Sequence, residues 1–418
     1  MVRCLAVFLL ASACMLSPAA AATWDVAEGG GRLIEALARA APGDTLRLAP
    51  GLHRGPAVID RTLRIQGLPG AVIDGGGASR VVTIDAPDVE FSGVEIRGSG
   101  GLLETEDSGI FVTKNGDRAV IRDNAVLGNL IGVYLKGPED AVVSGNRIRG
   151  REDLRLNERG NGVHIWNAPG SVIENNHISA GRDGIFVTTS KRNKFSRNRL
   201  HNVRFAIHYM YTNDSEVSFN HSTGNHLGFA IMFSSGIRVI GNRSQGDRDH
   251  GFLFNFANRS DIRGNMVTGG ANKCVFIYNA NRNRFQGNRF QGCAIGIHFT
   301  AGSQHNLISG NAFIGNRTQV KYVGTRHVEW SDNGRGNFWS DNLTFDIDGD
   351  GIADEPYKPN DLADQIIWRH PSAKLLLTSP ALQLIRWAQS VFPALFPGGV
   401  TDSAPLMGMP KLADQVEH

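Results

Sequence analysis

The stretch Phe195–Asn242, FSRNRLHNVRFAIHYMYTNDSEVSFNHSTGNHLGFAIMFSSGIRVIGN, says nearly the same thing twice. A phrase closes on Asn198 (FSRN), again on Asn220 (VSFN) and again on Asn242 (VIGN), with AIHY from Ala206 and AIMF from Ala230 in between. Outward from here the closing phrase recurs as IRDN at Asn124, VSGN at Asn146, IENN at Asn176, IRGN at Asn265, FQGN at Asn288 and ISGN at Asn311. Successive steps are 22, 30, 22, 22, 22, 23, 23 and 23 residues, and the long one carries a charged insertion, Arg151–Gly160. The intervening phrase recurs as GIFV at Gly109, GVYL at Gly132, GVHI at Gly162, GIFV at Gly184, GFLF at Gly251 and GIHF at Gly296.

A fixed period near 22 is the mark of a solenoid, in which each repeat buries its apolar face only against its neighbours. Short runs of β-branched and aromatic residues alternate and are broken by Gly and Asn, with no helical period inside a repeat and no leucine-rich spacing. The expectation is an all-β fold: a right-handed parallel β-helix with three short strands per coil. Each Asn is placed at a left-handed bend, its amide bonded to the Asn of the next coil. Stacked strands lie about 4.8 Å apart, so roughly eleven coils make a rod on the order of 50 Å long. Exposed sheet ends recruit other chains, so they need covers. The stretch 31–41 (GRLIEALARAA) reads as a capping helix with Leu33, Ile34, Leu37 and Ala41 on one face.

Fifty glycines in 418 residues, about 12 %, exceed the usual share of about 7 %, but without the every-third period of collagen. Net charge is only +3, with no basic tail and no zinc-spaced Cys/His cluster, which excludes a nucleic-acid protein. Residues 1–22 read as a signal peptide: Arg3, an apolar run from Leu5 to Leu16, and Ala20-Ala21-Ala22 before Thr23. Lipidation at Cys14 is the alternative. The division that follows is 1–22 leader, 23–336 β-helix with its cap, and 337–418 a C-terminal extension. Cys274 and Cys293 remain after cleavage and are read as packed thiols, with a disulfide or a metal pair as the alternative.

Strand alternation points Ile110, Val133, Val163, Ile185, Ile207, Ile231, Phe252 and Ile297 inward. The outward row then holds Tyr134, His164, Phe186, His208 and Met232, and the row beyond it Trp166 and Met210. A plain solvated face would carry Lys, Glu, Thr and Ser. Aromatic, His and Met residues over about five coils point to a partner surface or a groove. Imidazole and thioether also suit copper, and His208, Met210 and Met232 form the candidate set, with Met232 expected beside His208. In the tail, Asp346, Asp348, Asp350 and Asp354 with Gly351 form D-x-D-x-D-G-x-x-D, a loop that converges oxygens on a hard cation such as calcium. Tyr357 stands where an EF-hand loop would have its Glu.

NFWSDN (337–342), DIDGDGIADEPY (346–357), KPNDLADQIIWRHP (358–371), a helix-like 380–391 and GGVTDSAPLM (398–407) follow in that order. Behind a secreted β-helix, these phrases closely resemble the NosD family, periplasmic accessory proteins of nitrous oxide reductase maturation. The resemblance implies a periplasmic, non-enzymatic factor. It would work beside an ABC transporter permease and ATPase, a copper chaperone lipoprotein and the apo reductase, to assemble the copper–sulfur centre. Membrane association would come through the transporter. The rival reading is a carbohydrate-binding or polysaccharide-modifying β-helix, with Asp247-Arg248-Asp249-His250 as its acid–base candidates. No phosphate-binding loop is present, so ATP hydrolysis would belong to a partner.

Overall fold

The computed structural model describes residues 21–270, 272–359, 366, 372, 379–392, 398–410 and 412. Most of the leader with Cys14, and most of 358–371, lie outside the described residues. What is described is a parallel β-solenoid. Three sheets run its length: sheet 1, of 13 strands, from Thr23–Val26 to Leu307–Ser309; sheet 2, of 12, from Ala57–Ile59 to Thr318–Val323; and sheet 3, of 13, from Gly51–Arg54 to Phe338–Trp339. The rod is therefore a little longer than the asparagine phrases alone suggested, because coils before Asn124 lack that signature.

Each strand is only a few residues long, so one apolar residue per short strand suffices to fill the interior. Ile121, Val143, Ile173, Phe195, Val217, Val239, Ile262 and Phe285 form one such file, all buried. The inward residues of sheet 2 named above are buried too, but Ile231 belongs to a different file. Ile207 pairs with Phe229, and Ile231 pairs with Tyr209. The phrase from Leu227 to Met232 is offset by two positions from the phrase before it. AIHY and AIMF look aligned by spelling, yet hydrogen-bond register aligns them otherwise.

The asparagines form a continuous buried ladder. Each side-chain Nδ2 donates to the Oδ1 of the next, from Asn124 through 146, 176, 198, 220, 242, 265, 288 and 311 to Asn337, at 2.8–3.0 Å. The left-handed residue is not the Asn itself but the one before it: Asp123, Asn175, Arg197 and Phe219 (φ 54–57°), or Gly145, Gly241, Gly264, Gly287 and Gly310. That is why glycine so often precedes the Asn.

The cap helix α1 spans Arg32–Arg39 and buries Leu33, Leu37 and the adjoining Ala40, whereas Ile34 and Ala41 face outward. A shorter helix with a two-residue-wide contact is enough to cover the first coils. At the other end Phe338–Trp339 continues sheet 3 past residue 336, and Gly399–Thr401 returns to pair with His327–Glu329. Helix α2, Pro380–Val391, forms where expected. Cys274 and Cys293 form a disulfide (Cα–Cα 5.7 Å) rather than packed thiols, because neighbouring rungs bring them together.

Candidate partner-docking face and metal-binding loop

The outward row of sheet 2, in hydrogen-bond register, is Phe111, Tyr134, His164, Phe186, His208, Ala230, Leu253, Phe276 and His298. Five of these rings touch in series: Phe111–Tyr134 5.3 Å, Tyr134–His164 4.3 Å and stacked, His164–Phe186 4.9 Å, Phe186–His208 5.0 Å. The series breaks at Ala230 and Leu253 and resumes as the stacked pair Phe276–His298. Its first members are covered: Phe111 and Tyr134 are buried, with Arg80 over the Phe111 ring and Glu106 bridging Arg80 and Lys136. Tyr134 is therefore part of a small satellite core more than an open contact.

The next row reads Lys136, Trp166, Thr188, Met210, Met232, Asn255 and Tyr278. Met232 lies beside Met210, not beside His208, which faces Ala230. This corrects the expected copper set: the two thioethers are rung neighbours, and His208 sits on the same strand face two residues from Met210. The spelling of the repeat misled because the two-residue offset moves Met232 by one outward position.

Beyond these lies a third row that the sequence reading missed. Tyr211, Phe233 and Phe256 occupy one corner, Tyr211 near the end of its strand and the other two just after theirs, stacked at 5.0 and 5.2 Å, with Tyr278 against Phe256. All three have φ of 47–50°, as do Asn167 and Asn279 at the same corner of other coils. Bulky residues are rare in that conformation, so aromatic side chains stand here against backbone preference. Tyr211 and Phe256 are exposed, together with Trp166 and Tyr278. The spacing of 22 and 23 residues between these aromatics was the available signal.

One buried charged group sits under this face. Asp183 has no exposed side-chain surface; it accepts two hydrogen bonds from Arg204 (2.8 and 2.7 Å) and one from His208 Nδ1 (2.9 Å). Burial pushes its carboxyl up, but the His208 and Arg204 bonds outweigh this and hold it below the ordinary carboxylate value. The ionised carboxylate only accepts, so His208 Nδ1 carries a proton in this bond. A carboxylate holding the ring in this way is the arrangement found behind metal-ligating imidazoles. His164 and His298 are both pushed down to about 4, by burial and then by nearby cations, so each is neutral at neutral pH.

In the tail loop, carboxylate oxygens of Asp346, Asp348 and Asp350 lie within 4.8 Å of one another and could hold a cation. Asp346 caps the turn by accepting from the N–H groups of Gly349, Asp350 and Gly351. Asp354 is used differently: it accepts from Ile347 N–H, seven residues back. In the rival acid–base cluster, Asp249 lies 3.3 Å from His250 Nδ1, while Asp247 is turned to other partners. Asp247 is buried, accepting from Ser222, Ser244 and Asn225 in a second turn ladder, and burial raises its carboxyl.

Among the described residues no helix is long and apolar enough to cross a membrane. The fold is similar to a surface adhesin of Streptococcus pneumoniae, PfbA (TM-score 0.55, 11 % identity, 70 % of this chain and 94 % of that one). It is also similar to a DFA-IIIase of Arthrobacter chlorophenolicus (TM-score 0.50, 15 % identity, 73 % and 90 %). Those likenesses establish the β-solenoid alone. Residues 144–343 match the family model "Periplasmic copper-binding protein (NosD)". The chain is 42 % identical over 398 residues to a protein of Pseudomonas aeruginosa named "Probable ABC transporter binding protein NosD", covering 90 % of this chain and 93 % of the relative. A protein of the same name from Stutzerimonas stutzeri is 39 % identical, covering 87 % of each. With likeness of that extent to two such proteins, on the β-solenoid described above, the chain belongs to the NosD family.

Proposed function

We propose that this chain is a non-enzymatic periplasmic maturation factor. It acts with an ABC transporter permease and ATPase and a copper chaperone lipoprotein to assemble the copper–sulfur centre of apo nitrous oxide reductase. The observation that carries this reading is the likeness, over nine-tenths of the chain, to proteins named as ABC transporter binding. The leader-like stretch 1–22 and a disulfide, which persists in oxidising compartments, support the periplasm. Sheet 2 is the proposed docking face, with Trp166, Met210 and Met232 joined by Tyr211, Phe233 and Phe256, around the half-buried Phe186, His164 and His208. Copper is cargo in this reading, met transiently by the thioethers of Met210 and Met232 with His208 Nε2. The aspartate loop is read as a structural calcium site formed by Asp346, Asp348 and Asp350, with Asp354 bracing it. Calcium titration in a calorimeter checks that, with no heat and no gain in stability as the refuting outcome.

Deleting the gene is expected to yield a secreted reductase lacking its copper–sulfur centre; normal copper content and activity would refute the reading. The docking face is tested by Tyr211→Asn with Phe256→Asn. Asn already occupies that corner at Asn167 and Asn279, so folding should be unharmed. Exposed aromatic anchors commonly carry about 2 kcal/mol or more each at an interface, so co-purification with the reductase or chaperone should be lost. Phe186 is unsuitable for the purpose because it is packed between two imidazoles.

A further inference from the structure

Sheet 3 carries a column that neither the family likeness nor the docking face uses. In register, one outward file reads Arg147, His177, Arg199, His221, Arg243, Met266 and Arg289. Arginine recurs at every second rung, about 10 Å apart, with His177, His221 and Met266 between. The adjacent file reads Arg149, Ser179, His201, Thr223, Gln245, Thr268 and Gln291, so these strands present no carboxylate outward. Among the described residues Arg147, Arg199 and Arg243 make no ion pair, and His221 Nε2 is buried without a partner. Sheet 1 is the contrast: several of its arginines are neutralised, Arg122 by Glu90 and Arg238 by Glu216 across rungs, and Arg263 by Asp261 on its own strand. At one end the column enters a cleft of about 780 Å³ where Arg147, His177 and His201 meet Arg97, Arg149 and Arg151, which are paired with Asp74, Glu152 and Asp153.

Arginines of one sign along a single file, without carboxylates among them, sum to a positive field over that face. A row kept in that state beside a balanced sheet is a recognition surface. We infer that sheet 3 docks the acidic surface of a folded protein partner, whose carboxylates pair with Arg147, Arg199, Arg243 and Arg289. The file has no aromatic anchor, so it supplies orientation and encounter rate more than lasting affinity. The proposal stands apart from the maturation reading, and its test needs neither reductase nor transporter.

The test is binding of labelled poly-L-glutamate, a protein-like carboxylate, to the full chain by fluorescence anisotropy at low and physiological salt. Wild type should bind, more weakly as salt rises. Arg199→Glu with Arg243→Glu should weaken binding by about tenfold or more, with unchanged thermal unfolding, because two central contacts become repulsive. Arg199→Gln with Arg243→Gln makes the same test without adding carboxylates. Lys194→Glu with Arg284→Glu, on sheet 1, changes net charge equally and should leave binding nearly intact. Equal loss in both charge-reversal pairs, no loss in either, or binding of dextran sulfate but not polyglutamate would overturn the proposal.

Discussion

Asn220 shows what one side chain does in this molecule. Its Oδ1 accepts from both the backbone N–H and the amide of Asn198, and its Nδ2 donates to Phe195 O and to Asn242 Oδ1. Alanine there removes all four bonds at once and leaves the buried Asn198 N–H without its acceptor. Since one unsatisfied buried group costs roughly 1–3 kcal/mol, Asn220→Ala should lose about 3 kcal/mol or more in urea unfolding. His164 makes the complementary case for charge. The unfolded imidazole binds a proton near its ordinary 6.5, the buried one only near 4. Below 6.5 the unfolded state therefore takes up a proton that the native state refuses, so stability is intact above that pH and declines toward pH 4. His298 behaves alike. Melting temperature against pH should fall across this window, and His164→Gln with His298→Gln should flatten the fall.

At the scale of elements, the strands are too short to be stable alone, and their closing depends on what lies at the two ends. Helix α1 buries Leu33 and Leu37, with Ala40 at its end and Ala36 half-buried beside them, and with these covers the first coils. Leu37→Ala should cost about 2–4 kcal/mol, within the usual range for a buried Leu truncation. Because an uncovered end offers unpaired strand edges, the same variant should also form concentration-dependent oligomers, which sedimentation would detect. Sheet 2 differs from the other two in having longer strands, up to nine residues in Asp183–Lys191 and Phe205–Asn213. That length is what leaves room for several outward files on one face, and so for the ring series, the thioether pair and the corner aromatics.

At the scale of the whole molecule, the tail and the rod are one object at the C-terminal end. The asparagine ladder does not stop in solvent. Asp402, buried, receives the backbone N–H and side-chain amide of Asn337 and the indole N–H of Trp339. A ladder that passes donors forward needs, at its end, a group that only accepts, and a carboxylate is that group. Asp402→Ala should release the returning strand Gly399–Thr401 and expose Trp339, seen as faster amide exchange over the last two rungs and a red-shifted tryptophan emission. The first coils should keep their protection, since solenoid repeats feel mainly their neighbours. Unchanged exchange in this region would show that the tail is held by other contacts.

The repeat period, the strand-and-corner punctuation and the capping helix were legible in the sequence, because in a solenoid local pattern and global fold obey one rule. The apolar residue of each short strand must face inward, and a buried Asn must meet its neighbour. The family was legible too, from the order of the tail phrases. Register was not. Whether Met232 faces His208 or Met210 depends on a two-residue offset between coils, set by how Phe229 and Ile231 fill the interior. Spelling cannot show this, since both alignments put an apolar residue inward. The packing of Asp183 beneath His208, the closing of Asn337 by a residue 65 positions away, and the disulfide across two rungs are contacts between distant segments. Composition alone likewise gave a nearly neutral chain. Only the stacking of rungs sorted its arginines into those with acidic partners and one file of sheet 3, with Arg147, Arg199 and Arg243, without them, because pairing across rungs is decided by register and not by count.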